Sequence, residues 1–521
     1  MLRYEDVPRE FNLTSYFLDR NLEEGRGGRT ALIAGDRRTS YAELAALANR
    51  SGNVLRQLGV RPEERVLLAL SDSVEFVAAW YGALKIGAVT AEAYTFLQAK
   101  DYAYYLDYTR AGVALADAAT LANLREAAQG SRWLRHLLVA GVPPDDLLPG
   151  EVSLDAALER APAELDPAPT TRDDIAIWKF TTGSTGAPKA AVHPHHSPLL
   201  SFDWYARGVL NINQDDVVLA VPKLFFGYAR DLVALYPFGV GGAGIVFGER
   251  TTPERIFELI ARHRPTILVQ VPTMIAQMLD HPGAAEHDLS CLRLCTSAGE
   301  ALPEALHRRW LEAFGIEVID GIGSSEAYHI YASNRPGKAR PGSLGRVVPG
   351  YTARIVDRDG NDVPDGEAGE LWIEGDTAAL MYWNEHEKTK RTFSGDTVHT
   401  GDLFTRDADG FLYYRGRADD LLKVGGIWVA PAEIEDCLIA HAAVLECAVV
   451  GYEQDGLTLT RAFVVARDGG SPELAAALQD HVRGELSPHK YPRDVRFLEA
   501  LPRTGSGKVD RRALREGGTE P

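Results

Sequence analysis

The segment at residues 180–189 has the composition of a phosphate-binding loop. It reads Phe-Thr-Thr-Gly-Ser-Thr-Gly-Ala-Pro-Lys and follows a short apolar run. Glycines let backbone amides approach an anion closely, and hydroxyls and the Lys189 ammonium can donate to phosphate oxygens. The segment is not a P-loop, because Gly183 and Gly186 stand too close together and Ala190 follows the lysine. Taken alone, it is more typical of a surface turn.

Two further polar segments follow short apolar runs that predict strands. Ser-Ala-Gly-Glu occupies 297–300, and Asp-Gly-Ile-Gly-Ser-Ser-Glu occupies 320–326. In a parallel sheet both segments would lie at the carboxyl ends of strands, where ligands collect. The Glu326 carboxylate suits a hard cation that also takes phosphate oxygens, or alternatively the positive end of a helix dipole. Together with the first segment, they favour phosphate binding over a surface turn.

Three more motifs follow, and the set of six, in this order, resembles the adenylate-forming superfamily of acyl-CoA synthetases, peptide-synthetase adenylation domains and luciferases. The further motifs are Thr-Gly-Asp-Leu at 400–403, Tyr-Arg-Gly-Arg-Ala-Asp-Asp at 414–420 and Pro-Arg-Thr-Gly-Ser-Gly-Lys-Val-Asp-Arg at 502–511. The resemblance extends from about Asp36 to Leu514. Within the superfamily the chain is most similar to benzoate-CoA ligases, in the segments KLFFGYA at 223–229, GIGSSE at 321–326 with His329, SNRP at 333–336 and LKVGGIW at 422–428.

This resemblance implies a nucleotide site for ATP. Asp402 would accept hydrogen bonds from the ribose hydroxyls, and Arg417 would donate to phosphate or ribose oxygens. Ile322 stands where many relatives have an aromatic residue, so aliphatic contact would replace stacking on the adenine. The full implied set is Thr181, Thr182, Gly183, Ser184, Thr185, Gly186, Lys189, Ser297, Ala298, Gly299, Glu300, Asp320, Gly321, Ile322, Gly323, Ser324, Ser325, Asp402, Arg417 and Lys508.

The resemblance also implies catalytic roles for Lys508, Glu326 and Lys189. Lys508 would bridge the attacking carboxylate and the α-phosphate, and so stabilise charge that grows in the transition state. Glu326 would be the ligand of Mg²⁺, and Ser325 would contact the α-phosphate. The resemblance further implies a second step, in which the acyl group passes to coenzyme A after the small domain turns. Asp419 falls at the family's hinge position for this turn. Gly425 and Gly426 fall where the arm of coenzyme A approaches, and a larger side chain there would block a tunnel.

The acyl pocket implied by the resemblance is aromatic and flat-walled, which suits a benzoate ring. Benzoate-CoA ligases read Met-Leu where this chain has Ala327-Tyr328, which suggests a substituted ring such as a hydroxy- or aminobenzoate. They read Thr-Gly where this chain has Arg230-Asp231. We expect Arg230 to pair with Asp231 or a neighbouring acid rather than with the substrate. The implied pocket residues are Phe225, Phe226, Tyr228, Ala229, Ala327, Tyr328, His329, Ile330 and Lys423.

The function that the resemblance implies is an ATP-dependent aryl-CoA ligase, an AMP-forming acid-thiol ligase that uses ATP, Mg²⁺, coenzyme A and a small aromatic carboxylic acid. The alternative is a stand-alone adenylation enzyme that loads a carrier protein. Amino-acid-activating relatives place an aspartate near residues 225–227, and this chain has none there. A non-enzymatic nucleotide-binding protein would need a broken catalytic set, but Lys189, Glu326, Asp402 and Lys508 are all intact.

Composition narrows the class of protein further. The chain has 521 residues, a net charge of −18 and four cysteines without a CxxC pair. The charge argues against a nucleic-acid partner, and the cysteines predict reduced thiols. Apolar runs too short for a bilayer and a charged start predict a cytoplasmic protein without a membrane partner. The histidines at 193, 195 and 196 are expected to be structural. A homodimer is a further expectation from the resemblance.

The elements that must position these motifs follow from the apolar pattern. From Arg65 onward, short apolar runs alternate with helical periods, which predicts parallel sheets covered by helices. The helical period at 301–314 is the clearest example. From about residue 340 the pattern changes to hairpins, and after Arg417 to a small α+β unit. We therefore expect an α/β fold with a large domain at 1–417, which includes a β-rich subdomain, and a small mobile domain at 418–521 that carries Lys508.

Overall fold

A computed structural model describes the backbone of residues 1–181, 187–420, 422–424, 427–454, 457–487, 490–504 and 509–516. Within these ranges the side chains of Asp419, Lys423, Ile427, Trp428 and Leu457 are not described.

The first sheet carries two of the predicted motifs at strand ends. Its central strands, from Val318–Gly323 to Thr30–Ala34, run parallel, and the outer strands pair with them in the antiparallel sense. Its strands in spatial order are Arg346–Val347, Ile330–Ser333, Val318–Gly323, Leu294–Ser297, Ile267–Gln270, Val217–Ala220, Ala243–Ile245, Thr30–Ala34 and Arg37–Ser40.

The second sheet carries both ends of the predicted phosphate loop. Its strands from Ile175–Thr181 outward are parallel, whereas Lys189–Pro194 returns antiparallel and pairs Lys189 with Thr181. The order is Met381–Tyr382, Lys189–Pro194, Ile175–Thr181, Val89–Glu92, Arg65–Ala69, Val113–Ala116, His136–Val139 and Glu151–Ser153.

Helices cover these sheets and bury their apolar faces. The predicted helix at 301–314 begins at Glu304 instead, because Pro303 is extended at its N-cap, and it buries Trp310. The α-helices are Arg20–Glu23, Tyr41–Gln57, Val74–Lys85, Ala99–Thr109, Leu121–Gln129, Leu154–Arg160, His196–Ser201, Gly227–Ala234, Pro253–His263, Pro272–Asp280, Glu304–Phe314 and His386–Thr392. Ser15–Asp19 and Phe202–Arg207 are π-helical, and short 3₁₀ turns lie at Tyr4–Asp6, Pro144–Asp146, Pro237–Gly239, Ala284–Glu286 and Ala418–Asp420.

The predicted hairpins after residue 340 form a third, antiparallel sheet. Its strands are Thr352–Val356, Gly369–Glu374, Thr397–Arg406 and Phe393–Ser394, and Leu412–Arg417 pairs with Thr397–Arg406. This pairing places Asp402 opposite Arg417.

The chain beyond residue 420 builds an α+β unit with a core of its own. Val424, Ile434, Leu438, Val449 and Leu478 pack together in that core. The hairpin Leu422–Val424 with Ile427–Val429 and the sheet Val444–Gln454, Leu457–Ala466, Asp494–Phe497 are flanked by helices Pro431–Ile439, Pro472–Glu485 and Arg511–Arg515. The predicted fold class is confirmed. The domain boundary at 417/418 and the mobility of the small domain stay predictions, which the separate core supports. Among the described helices, none has the length and apolarity that a bilayer crossing requires.

Candidate active site

The two motifs of the first sheet lie side by side at its carboxyl edge. Ser297 pairs with Asp320 in the parallel ladder, so the segments that leave these strands are neighbours, as the parallel arrangement predicts. Asp320 is buried, and burial raises the pKa of its carboxyl well above the usual range. The Ser297 hydroxyl and the Gly321 amide lower this pKa by a smaller amount. Ile322 and Gly323 are partly exposed beside it.

The loop that follows, from Ser324 to His329, is held by its carbonyl groups. His193 Nε2 donates to the Ser325 carbonyl at 2.6 Å, and the Ala379 amide donates to the Glu326 carbonyl at 2.8 Å. The Ala327 carbonyl accepts from the hydroxyls of Tyr351 and Thr377, both at 3.0 Å. Lys179 Nζ donates to the Tyr328 carbonyl at 2.6 Å. Donors from several elements therefore fix the backbone beside the predicted metal ligand and acyl residues.

Close packing requires a glycine where this loop begins. A Cβ atom on Gly323 would lie 2.3 Å from the His329 carbonyl oxygen and 2.9 Å from the Ile330 Cα atom. Both obstacles are backbone atoms, which cannot swing aside as a side chain can. The glycine thus allows the strand that carries Ile322 to approach the residues that return after the loop.

Glu326 and Lys189 come together around one tyrosine. The Tyr382 hydroxyl donates to Glu326 Oε1 at 2.5 Å, and Lys189 Nζ lies 3.6 Å from the Tyr382 ring centroid. Burial lowers the pKa of Lys189, against the raising effect of Glu326. A carboxylate has about four lone-pair sites, so accepting from Tyr382 leaves Glu326 capacity for a cation. This donor fits Mg²⁺, which takes one or two protein carboxylates plus phosphate oxygens.

The three histidines after the phosphate loop are buried. His193 donates through Nε2, and His195 Nδ1 accepts from the Leu13 amide at 3.3 Å. Burial lowers the pKa of His193 to about 3 and that of His195 to about 4. The ring nitrogens of His196 contact the carbonyls of Arg172 and Asp376. Within the described ranges no group of three or more His, Cys, Asp and Glu side chains could hold a metal ion. These contacts to backbone groups support the structural role expected from the sequence, which stays a prediction.

Asp402 and Arg417 face each other across neighbouring strands of the third sheet. Arg417 Nη1 donates to Asp402 Oδ1 and to the Thr400 carbonyl, each at 3.2 Å. Gly401 between them has φ +68°, a backbone conformation that glycine adopts without strain. The pair therefore presents a carboxylate and a guanidinium side by side on adjacent strands, and these are the groups predicted for the ribose.

The predicted acyl residues fall into an aromatic group and a buried group. The Phe225 ring lies 4.9 Å from Tyr94 in an edge-to-face contact, and Phe226 stacks on Tyr94 at 6.4 Å. Phe225, Phe226 and Tyr228 are partly exposed, whereas Ala229, Ala327, His329 and Ile330 are buried. The Tyr228 hydroxyl is 2.7 Å from Thr296 Oγ1. Tyr328 is 1% exposed and contacts the ring of His193, so its phenol lies in the core.

Arg230 pairs with acids, as the sequence predicts. Its Nε and Nη2 donate to Asp231 Oδ1 at 3.1 and 2.9 Å, and its Nη1 lies 2.8 Å from Glu92 Oε1. Lys179 Nζ donates to the other Asp231 oxygen at 2.7 Å. Sequence reasoning missed Lys179, although a lysine that continues the apolar run at 175–178 is a visible signal.

The unit beyond residue 420 contacts the segment 297–300 through residues next to the motif at 502–511. Arg503 and Val509 form an isolated β-bridge, and Arg503 Nη1 lies 3.9 Å from Glu300 Oε1. Thr273 Oγ1 donates to the other Glu300 oxygen at 2.8 Å. Several predicted site residues lie outside the described residues, namely Thr182, Gly183, Ser184, Thr185, Gly186, Gly425, Gly426 and Lys508. The same is true of the Asp419 and Lys423 side chains.

Polar loops at the edges of two sheets, with a smaller α+β unit that contacts them, are typical of an α/β enzyme that binds its substrates at strand ends. The chain belongs to the AMP-binding enzyme family, whose model matches residues 18–383; the model of the AMP-binding enzyme C-terminal domain matches residues 433–508.

Curated relatives and solved structures cover the chain almost completely. It is 42% identical over 514 residues to a benzoate–CoA ligase of Thauera aromatica. The matched residues make up 98% of this chain and 96% of that protein. It is 40% identical to a 4-hydroxybenzoate–CoA/benzoate–CoA ligase of Rhodopseudomonas palustris, over 98% and 96% of the two chains. The crystal structure of the anthranilate CoA ligase AuaEII in complex with anthranoyl-AMP superposes with a TM-score of 0.95 at 38% identity, covering 99% and 98%.

Proposed function

We propose that this protein is an ATP-dependent aryl-CoA ligase that activates benzoate or a hydroxy- or aminobenzoate. The observation that carries this proposal is the identity of 40–42% to ligases of benzoate and 4-hydroxybenzoate over nearly the whole of each chain. The aromatic group of Phe225, Phe226 and Tyr94 supports it, because flat apolar walls suit a ring.

The first half-reaction joins the acid to the nucleotide. A carboxylate oxygen attacks the α-phosphorus of ATP, the bond to the bridging oxygen breaks, and pyrophosphate leaves from an acyl-AMP. Lys189 and Thr181, on paired strands, would hold the phosphates at the ends of the loop. Lys508 would bridge the two reacting anions, so its charge is useful mainly in the transition state. Asp402 and Arg417 would hold the ribose.

Glu326 would hold Mg²⁺ with phosphate oxygens of ATP. The bound cation would neutralise charge on the phosphates during transfer. Tyr382 fixes the orientation of the carboxylate through the bond to Oε1. His193 does the same for the backbone one residue earlier. In this way the chain orients the Glu326 carboxylate beside the residues that would hold the phosphates.

The second half-reaction releases AMP. The sulfur of coenzyme A attacks the acyl carbonyl, the bond between that carbon and the AMP oxygen breaks, and the acyl-CoA thioester forms. Gly425 and Gly426 would leave room for the arm of coenzyme A, and Asp419 would be the hinge about which the small domain turns. A homodimer stays a prediction.

The test is AMP release by the purified protein with ATP, Mg²⁺ and coenzyme A. The substrates are benzoate, its hydroxy and amino derivatives, and acetate and hexanoate as aliphatic controls. We expect turnover on at least one aromatic acid that depends on coenzyme A. Acyl-AMP without thioester would support loading of a carrier protein instead. Faster turnover on the aliphatic acids would overturn the aromatic specificity.

A further inference from the structure

A buried group of charged residues connects the second sheet to the site loop. We define the Lys179 cluster as Lys179, Asp231, Arg230 and Glu92, which together carry two positive and two negative charges. All four side chains are at most 5% exposed. Glu92 also accepts from the Trp80 indole at 2.7 Å. The cluster joins the strands Ile175–Thr181 and Val89–Glu92 to the helix Gly227–Ala234, which carries Tyr228 and Ala229.

Lys179 makes one contact that charge balance does not require. Besides Asp231, its ammonium donates to the Tyr328 carbonyl at 2.6 Å and lies 3.6 Å from the Tyr328 ring centroid. Tyr328 has φ +72°, in the left-handed region that bulky residues rarely adopt. Such a conformation persists only where the surroundings hold it. Lys179 supplies that restraint between Ala327 and His329.

Stability alone is a weak reason for such a cluster. Buried ion pairs often contribute little net stability, because desolvation offsets their attraction, although removing one partner is destabilising. The geometry offers a more specific reason. Lys179 anchors the helix that begins at Gly227, through Asp231, and the loop 324–329, through Tyr328. These two segments contribute most of the predicted acyl residues.

We propose that Lys179 is a positioning residue that sets the acyl side of the site by holding the Tyr328 carbonyl. This inference rests on the proposed function. Loss of Lys179 lets Tyr328 relax from its left-handed conformation and moves Ala327 and His329 relative to Tyr228. The affinity for the aromatic acid then falls, whereas the nucleotide segments at 297–300 and 400–403 keep their places.

The test compares variants that separate charge balance from the contact to Tyr328. Asp231→Asn keeps the Lys179 contact but unbalances the charge. Lys179→Met with Asp231→Asn removes one charge of each sign and also removes the contact. Lys179→Met alone unbalances the charge and also removes the contact to Tyr328. Lys85→Met is the matched control, because Lys85 is an equally buried lysine that pairs with Asp19 at 2.8 Å.

The melting temperature is expected to depend on whether the buried charges are balanced. The KM for the acid is expected to depend on whether Lys179 is present. The melting temperature should fall in both single variants of the cluster and in Lys85→Met, and should recover in the double variant. Both variants without Lys179 should raise the KM for the acid at least about tenfold, with the KM for ATP changed less than about threefold. Asp231→Asn and Lys85→Met should keep the KM for the acid near that of the parent. All assays use a temperature at which every variant is folded.

A double variant whose KM for the acid recovers together with its melting temperature would overturn the proposal. So would equal increases in the two KM values, or a raised KM for the acid in Lys85→Met. Hydrogen exchange gives a readout that needs no activity. Amides of Ala327, Tyr328 and His329 should exchange faster in the double variant than in Asp231→Asn, and equal rates would overturn the proposal. If the parent protein activates no aromatic acid, the proposed function fails, and hydrogen exchange still decides the role of Lys179.

Discussion

At the scale of single residues, Glu326 depends on its neighbours for its geometry. Tyr382 fixes one oxygen, and Ala379 holds the backbone carbonyl of the same residue. Lys189 lies against the Tyr382 ring, so the proposed phosphate-binding lysine and the proposed metal ligand both contact the same tyrosine. The carboxylate is thus oriented before any cation binds, which lowers the reorganisation that binding requires.

Glu326→Gln should remove the charge and keep the shape. The amide oxygen can still accept from Tyr382, so the melting temperature should stay close to that of the parent. The rate of ATP–pyrophosphate exchange should fall by roughly 10²–10³ and need more Mg²⁺ to reach half its maximum. Tyr382→Phe is the control, because it keeps the Glu326 carboxylate and removes only the hydrogen bond that orients it. The rate of ATP–pyrophosphate exchange should then fall roughly tenfold. An unchanged Mg²⁺ requirement in Glu326→Gln would count against the assignment.

Gly426→Leu should separate the two half-reactions. Gly426 lies outside the described residues, and the prediction follows from its place in the motif. A side chain in the coenzyme A path should leave acyl-AMP formation near the parent rate and slow thioester formation by roughly 10². Gly484→Leu is the control, because a Cβ atom there meets no atom within 4 Å. Equal loss of both half-reactions in Gly426→Leu would contradict the prediction.

At the scale of elements, the strand Lys189–Pro194 and the helix after it place uncharged imidazoles in the core. Burial disfavours the imidazolium, which lowers the pKa of His193 to about 3 and that of His195 to about 4. An unfolded histidine takes up its proton near pH 6.5. Between these values the unfolded chain binds more protons. The free energy of unfolding therefore falls as the pH drops below about 6.5.

His195→Gln should make the acid sensitivity smaller. Glutamine can accept from the Leu13 amide, as His195 Nδ1 does, but it binds no proton. From pH 6.5 to 4.5 the variant should lose about 1 kcal/mol less per pH unit than the parent, measured by urea unfolding. The exposed His386→Gln should keep the pH dependence of the parent. Parallel curves for His195→Gln and the parent would mean that His195 is not the group that titrates.

At the scale of the whole molecule, ion pairs hold the small domain against the large one. Arg467 Nη1 lies 3.2 Å from Asp280 Oδ2, and Arg503 Nη1 lies 3.9 Å from Glu300 Oε1. Partly exposed pairs of this kind are worth about 1 kcal/mol or less. They are therefore strong enough to bias the orientation of a domain and weak enough to let it turn.

Arg467→Glu should weaken this orientation in one half-reaction. With Asp280 opposite, the new carboxylate repels the large domain, and adenylation should slow about two- to fivefold. Thioester formation from supplied acyl-AMP should be unchanged or faster. Arg483→Glu is the control, because Arg483 pairs with Asp480 inside the small domain. Equal slowing of both steps by Arg467→Glu would mean that the pair does not select between orientations.

Local pattern was enough to predict the fold class and the place of the main loops. Short apolar runs that alternate with helical periods require parallel sheets, and the carboxyl ends of such strands must share an edge. The pairing of Ser297 with Asp320 follows from that rule. The start of a helix at Glu304 depends on Pro303, whose effect is also local. That the residues of these loops bind ATP stays a prediction.

The sequence by itself therefore determined the elements, the order of the motifs and the family, because these depend on neighbours along the chain. Only the tertiary structure decided which distant groups meet. Along the chain, Lys179 is 52 positions from Asp231 and 149 positions from Tyr328. No local sequence period connects residues so far apart. Tyr382 and Glu326 meet for the same reason, through the packing of the second sheet. Such contacts depend on how sheets and helices pack, since burial leaves a charged or polar group only the partners that packing brings to it.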